Sequence, residues 1–166
     1  MSRRTVPLED RTCWYRSSVS EINEGGGAQA GSMPLPFELA LPRSPVSQQA
    51  RRTELRVAWQ EEVRNAARQR WRGAAPTDGL VALTITYFFD AGSPDVDNIP
   101  KPILDALKGL VYADDDQVID LACRKRDLRE DVVVRNPSPY LLGHLRRSRR
   151  VVHVSVAQAS NREVTF

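Results

Sequence analysis

The chain has 166 residues, 41% of them apolar and 27% charged, the size of one domain and the composition of an ordinary globular protein. It carries a formal charge of +3 and a pI near 9.1. It has no apolar run of about 18 residues that would span a membrane, and no apolar stretch at its N-terminus that would serve as a signal peptide. Two cysteines, Cys13 and Cys123, lack the C-x-x-C spacing of a zinc site and are too few for a disulfide framework, so reduced thiols and a cytoplasmic location are expected.

The basic balance rests on arginine, with 21 Arg against 3 Lys. A guanidinium binds phosphate in a planar, bidentate fork. A bias in composition would give the same excess, so the count alone does not decide for an anionic partner.

Residues 1–33 are polar, lack a sustained period and end in GGGAQAGS at 25–32, the composition of a flexible linker. We read them as an N-terminal extension, 34–158 as one domain with an insert at 127–148, and 159–166 as a C-terminal tail. Within the domain, Phe37, Leu39 and Leu41 alternate with Glu38 and Ala40 as a short strand closed by Pro42. From about Ser47 to Trp71 the period turns helical, with Leu55, Trp59, Val63, Ala66 or Ala67, and Arg70 or Trp71 on one stripe. Gly73 and Pro76 end that helix.

Residues 80–89, LVALTITYFF, predict a strand with Val81, Leu83, Ile85, Tyr87 and Phe89 on one face. A helix is expected from about Ile99 to Leu110, capped by Asn98 or Asp97. The residue before a proline avoids the α region, so Pro102 sets an alternative start. Ile103, Ala106, Leu107 and Leu110 would be its buried face, and Lys101, Asp105 and Lys108 its polar face. Gln117–Arg126 and Val151–Ala157 read as two more strands, with a short helix at 139–147 inside the insert. The order β-α-β-α-β-β predicts an α+β domain: a small mixed β-sheet with two main helices on one face.

Seven of twelve aspartates fall between positions 95 and 120: Asp95, Asp97, Asp105, Asp114, Asp115, Asp116 and Asp120. Crowded carboxylates raise one another's pKa unless a positive charge sits among them. A hard divalent cation such as Mg²⁺, which takes oxygen ligands, relieves that repulsion. In an extended chain Asp95 and Asp97 would project to the same side and grip one ion. If the intervening helix crosses over between neighbouring strands, the two acidic loops would meet at the sheet's end and the second would add a third carboxylate. Asp105, one turn beyond Lys101, would orient that lysine. An EF-hand is excluded, because its glycine is missing and Ala106 stands where its last glutamate belongs. Turn and capping chemistry accounts for Asp95, Asn98 and one of the triple aspartates, but not for the whole constellation. His144 and His153 lie far from the cluster and read as structural or surface residues. No G-x-S-x-G, Walker A or G-x-G-x-x-G motif is present.

The run Asp95-Val96-Asp97-Asn98-x-x-Lys101, then Asp105-Ala106-Leu107-x-Gly109, then Asp114-Asp115-x-Gln117-Val118 resembles the signature of the RusA family of Holliday junction resolvases. The resemblance extends more weakly over roughly 36–157. It implies a homodimeric, Mg²⁺-dependent endonuclease, with Mn²⁺ as a substitute, that nicks branched DNA symmetrically. By position in the motif, Asp95, Asp97 and Asp115 correspond to catalytic metal ligands and Lys101 to an essential lysine. Asp114 corresponds to the other acid of the pair. Asp116 makes that pair a triplet, which leaves Asp114 or Asp116 as a further candidate ligand. Asn98, Asp105 and Gln117 would support the site. Contacts to the phosphates of a four-way junction would come from Arg124, Lys125, Arg126 and Arg129, and from Arg146, Arg147, Arg149 and Arg150.

Overall fold

The computed structural model describes residues 35–47, 49 and 53–160. The proposed N-terminal extension lies outside the described residues, as does all of the proposed tail beyond Ser160. Four strands and three helices follow one another as β1 (Phe37–Leu41), α1 (Thr53–Trp71), β2 (Val81–Phe89), α2 (Pro100–Leu107), β3 (Val118–Asp127), α3 (Pro139–Leu145) and β4 (Val151–Gln158). The sheet order is β1-β4-β2-β3, with β2 and β3 parallel and β4 antiparallel to both β1 and β2. The α+β class and the mixed sheet are as expected.

The last strand enters the middle of the sheet, and this placement explains its sequence. A central strand covered on both faces can bury consecutive residues, and Val151, Val152, Val154 and Val156 are all buried. On the first face, Val81, Leu83, Ile85 and Tyr87 of β2 pack with Trp59, Val63, Ala67 and Trp71 of α1 and with Ile103, Ala106 and Leu107 of α2. Each valine, leucine or isoleucine among them contributes about 1.5–3 kcal/mol when removed from water. The expected stripe of α1 therefore holds from Trp59 onward and picks out Ala67 and Trp71. Leu55 is a correction, being 50% exposed because α1 has there passed beyond the sheet's cover. The expected start near Ser47 is also corrected: Ser47 is not helical, and the described helix runs from Thr53.

The insert covers the opposite face. Leu141 of α3 packs with Ala40, Phe88 and Val151, whose positions alternate with the first core. Ser138 caps α3 by accepting from the Leu141 amide at 3.1 Å and donates to Glu38 of β1 at 2.6 Å. The Arg70 guanidinium lies 3.8 Å from the Tyr140 ring centre, tying α1 to the insert.

The connection from β2 to β3 decides where the acidic segments lie. In a parallel crossover the chain leaves one strand at one end of the sheet and enters the next at the other. The two acidic loops therefore do not meet at the sheet's end, which corrects the expectation. The nine-residue strand β2 spans about 30 Å, whereas the eight-residue α2 returns only about 12 Å. The remaining distance is covered by residues 90–99 and 108–117. The second segment lies against α2, with Asp115 Oδ2 3.7 Å from Lys101 Nζ.

Candidate active site

Asp95 is extended, but Asp97 is not. Val96–Asn98 forms a 3-10 turn in which the Asn98 amide donates to the Asp95 carbonyl at 3.1 Å. With the turn beginning between them, the alternation of an extended chain does not set the two carboxylates side by side. Both carboxylates are exposed. Asn98 is buried and its Nδ2 donates to Asp97 Oδ1 at 3.2 Å. Neither Asp97 nor Asn98 caps α2: the N-cap is Ile99, and buried Pro100 and Pro102 occupy the first turn, where missing amide donors cost nothing. The helix ends at Leu107, shorter than expected. Arg64 of α1 takes over the carbonyls of Ala106 and Lys108 at 3.0 and 2.9 Å, and Gly109 turns the chain with φ of +67°.

The polar face of α2 is as the sequence predicts. Lys101 Nζ lies 2.6 Å from Asp105 Oδ1 and 3.7 Å from Asp115 Oδ2. One turn on, Lys108 Nζ meets Asp114 Oδ1 at 3.0 Å and Asp115 Oδ2 at 3.8 Å. Gln60 of α1 holds the other oxygen of Asp105 at 3.2 Å. The hydrogen bond that Lys101 donates to Asp105 raises the lysine's pKa, with a smaller contribution from Asp115, so the lysine is a fixed cation rather than a base. Asp114 likewise raises Lys108.

The triple aspartate divides by role. Asp114 caps the 3-10 turn Asp115–Gln117, accepting from the Asp115 amide at 2.6 Å. Lys108 first, and that amide second, hold its carboxyl below the usual range. Asp115 turns Oδ2 toward both lysines, while its Oδ1 is buried without a hydrogen-bond partner. Asp116 is exposed. Gln117 fixes the loop: its Oε1 accepts from the amides of Ala113 and Asp114 at 2.7 and 3.0 Å, and its Nε2 donates to the carbonyls of Thr77 and Gly79 at 2.8 and 2.9 Å. Beneath Asp115 and Asp105, burial first and those two carboxylates second push the Tyr112 phenol far above its ordinary range, and its hydroxyl donates to Leu104 O at 2.9 Å.

The donor set suits a hard cation. It is all carboxylate oxygen, and an orphaned buried carboxylate oxygen is an acceptor awaiting a partner. Among the described residues, however, no three acidic, histidine or cysteine side chains already converge as a metal cluster. In the structure it is the ammonium groups of Lys101 and Lys108 that neutralise Asp114 and Asp115.

The residues read as DNA-contacting separate into groups. Lys125 belongs with the acidic segment: its Nζ donates to the Pro94 carbonyl at 2.8 Å and lies 5.9 Å from the Phe89 ring centre. Arg124 and Arg126 flank it but project to the opposite face, being paired in register with Thr86 and Phe88. Arg149 and Arg150 clamp the turn after β2, with Nε atoms 3.6 and 3.0 Å from the two oxygens of Asp90. Arg129 forms a bidentate pair with Asp127, which lowers that carboxyl to about 2. Arg146 and Arg147 are exposed.

Lys108, Gln60 and Tyr112 were missed as site neighbours. Lys108 had a sequence signal, seven residues from Lys101 and hence on the same helical face. Gln60 and Tyr112 had none, since their proximity depends on how α1 packs on α2. Cys123 offers no alternative nucleophile, because burial raises its thiol pKa.

A family model described as Endodeoxyribonuclease RusA matches residues 43–135, more than half of the chain. The match takes in α1, β2, the whole acidic segment, α2 and β3, and ends within the insert. No curated protein matches the chain. The chain is a member of the RusA endodeoxyribonuclease family.

Proposed function

We propose that the chain is a Mg²⁺-dependent endonuclease that acts as a homodimer and resolves four-way DNA junctions by paired symmetric nicks. The observation that carries this reading is Lys101, set by Asp105 and reaching toward Asp115, whose Oδ1 is buried and unsatisfied. Family membership supports the nuclease class. Asp95, Asp97 and Asp115 are the residues that would hold Mg²⁺, with Mn²⁺ as a substitute. Such an ion supplies Lewis acidity at the scissile phosphate and a more acidic attacking water.

The chain's own part is electrostatic. Lys101 stays protonated and donates to a non-bridging phosphate oxygen, where negative charge grows in the transition state. Asp105 and Gln60 keep that lysine in place. Asp114 and Gln117 serve the loop that carries Asp115 rather than the phosphate itself. A near two-fold junction offers two equivalent strands, and an isologous dimer would supply two matched sites. Flanking phosphates would meet Lys125 beside the acidic segment and Arg146 and Arg147 on the insert, while Arg124 and Arg126 would meet phosphates on the other face of the sheet.

The substrate class is tested with matched labelled four-way junction, flap, fork and linear duplex in Mg²⁺. The reading expects the junction to be cut fastest, with nicks paired across its two-fold axis. Faster cutting of flaps or forks would move the chain to another branched-DNA nuclease. Junction binding with no cutting in either Mg²⁺ or Mn²⁺ would make it a binding module.

A further inference from the structure

On the face of the sheet away from Lys101, one row of the register sets Arg124 of β3 beside Thr86 of β2, and Thr86 beside His153 of β4. The insert arches over this row. Arg126, from the next pleat of β3, and Arg135, from the insert, line the same cleft of about 620 Å³, whose apolar side is Phe88 and Leu141. No carboxylate lines it. Among the described residues the guanidinium groups of Arg124 and Arg135 form no ion pair or hydrogen bond, and that of Arg126 reaches only its neighbour's carbonyl at 2.7 Å.

His153 Nε2 is buried in this cleft without a hydrogen-bond partner. Burial lowers the pKa of this imidazole, so near neutral pH it is uncharged and one ring nitrogen can carry a proton to donate. Three guanidinium groups, a hydroxyl and an imidazole thus line a space that no carboxylate lines; Glu38, which acts on His153 from nearby, is engaged by Ser138. Like charges brought together this way are relieved by an anion, and planar guanidinium forks fit a phosphate. The insert forms a fixed wall, because Ser138 anchors it to Glu38 and Arg70 stacks on Tyr140.

We infer that this cleft is a phosphate-binding pocket, separate from the acidic centre, in which Arg124, Arg126 and Arg135 hold the anion while Thr86 and His153 donate to it. The phosphate is either a backbone phosphate of DNA or that of a free nucleotide; the volume accommodates a nucleotide, and the apolar side faces its base. The phosphate chemistry follows from the cleft itself. Only the choice of DNA as its source rests on the nuclease reading.

The test follows the ring signals of the two histidines by NMR in EDTA, with inorganic phosphate, a deoxynucleoside 5′-monophosphate, the parent deoxynucleoside and a short single-stranded oligonucleotide added in turn. Because no metal or cleavage is involved, failure here is distinct from failure of the proposed activity. His153 is expected to shift saturably with the phosphate-bearing ligands and not with the nucleoside, while His144, outside the cleft, stays in place. Arg124→Gln with Arg135→Gln should weaken the response at least about tenfold. Both side chains are exposed, so the fold should persist, and Thr86→Val, expected to weaken it less, is the second variant. Tighter response to the oligonucleotide assigns the pocket to DNA; tighter response to the mononucleotide assigns it to a free nucleotide. A His153 signal unmoved by every phosphate ligand, or moved equally in the double variant, would overturn the inference.

Discussion

Asp97→Asn is expected to lower junction cleavage by about a hundred- to a thousandfold or more, the scale of losing one group that supports transition-state charge, while junction binding is kept. Asn98 Nδ2 donates to Asp97 Oδ1, and an asparagine can present the same acceptor. The side chain is exposed, so the fold has no stake in its charge. Removing an anion beside DNA leaves binding equal or slightly tighter, because affinity comes from cationic contacts. Single-turnover cleavage alongside a gel-shift titration separates the two effects.

The same assay settles the register of the aspartate triplet. Asp115→Asn should fall with Asp97→Asn, since Asp115 is the carboxylate that both lysines approach. Asp116→Asn should retain most activity, because its side chain is exposed and holds nothing among the described residues. Asp114→Asn should act by loosening the capped turn. Full cleavage by the Asp97 variant, or equal losses at positions 115 and 116, would contradict the assignment.

Trp71→Ala should produce the largest loss of stability, about 3–5 kcal/mol, the usual result of emptying a buried aromatic site. Trp71 is fully buried at the end of α1. It packs edge-on against Phe37 with ring centres 5.4 Å apart, and its Nε1 donates to Ala75 O at 3.3 Å. The substitution thus empties a large volume between α1 and β1 and removes the indole's hydrogen bond to the loop that follows α1. Against a total of about 5–15 kcal/mol for a domain, this is a large fraction, to be read as a lower urea midpoint. Leu55→Ala, on the same helix but half exposed, should change stability by less than about 0.5 kcal/mol. Similar losses at both positions would mean that α1 is packed differently.

The contrast between Trp71 and Leu55 marks what the sequence could convey. A period of 3.6 identifies a stripe, but where the stripe leaves the sheet depends on tertiary packing. Strand alternation in 80–89 correctly assigned both faces of β2, because the two faces have separate cores. The place of β4 in the middle of the sheet was not legible, since local pattern does not encode strand order. Lys101 and Asp105 were legible as a pair because helical spacing alone brings them together. Asp95 is extended as read, but Asp97 was misread because the pattern D-x-D carries no signal for the turn that precedes two prolines. The separation of Lys125 from its arginine neighbours was available from strand alternation, once β3 was known to have a buried and an exposed face. The meeting of Lys101 with Asp115 needed the tertiary path of the crossover, which lays the loop carrying Asp114 and Asp115 against α2.

The central claim is metal-dependent paired nicking of a four-way junction. The most direct measurement maps the nicks on each strand of a labelled synthetic junction, with the wild-type chain in Mg²⁺ and again in EDTA. The account predicts nicks at symmetric positions on two opposed strands, with 5′-phosphate and 3′-hydroxyl ends, and their loss in EDTA. Cleavage that persists in EDTA, or nicks scattered without symmetry, would contradict it.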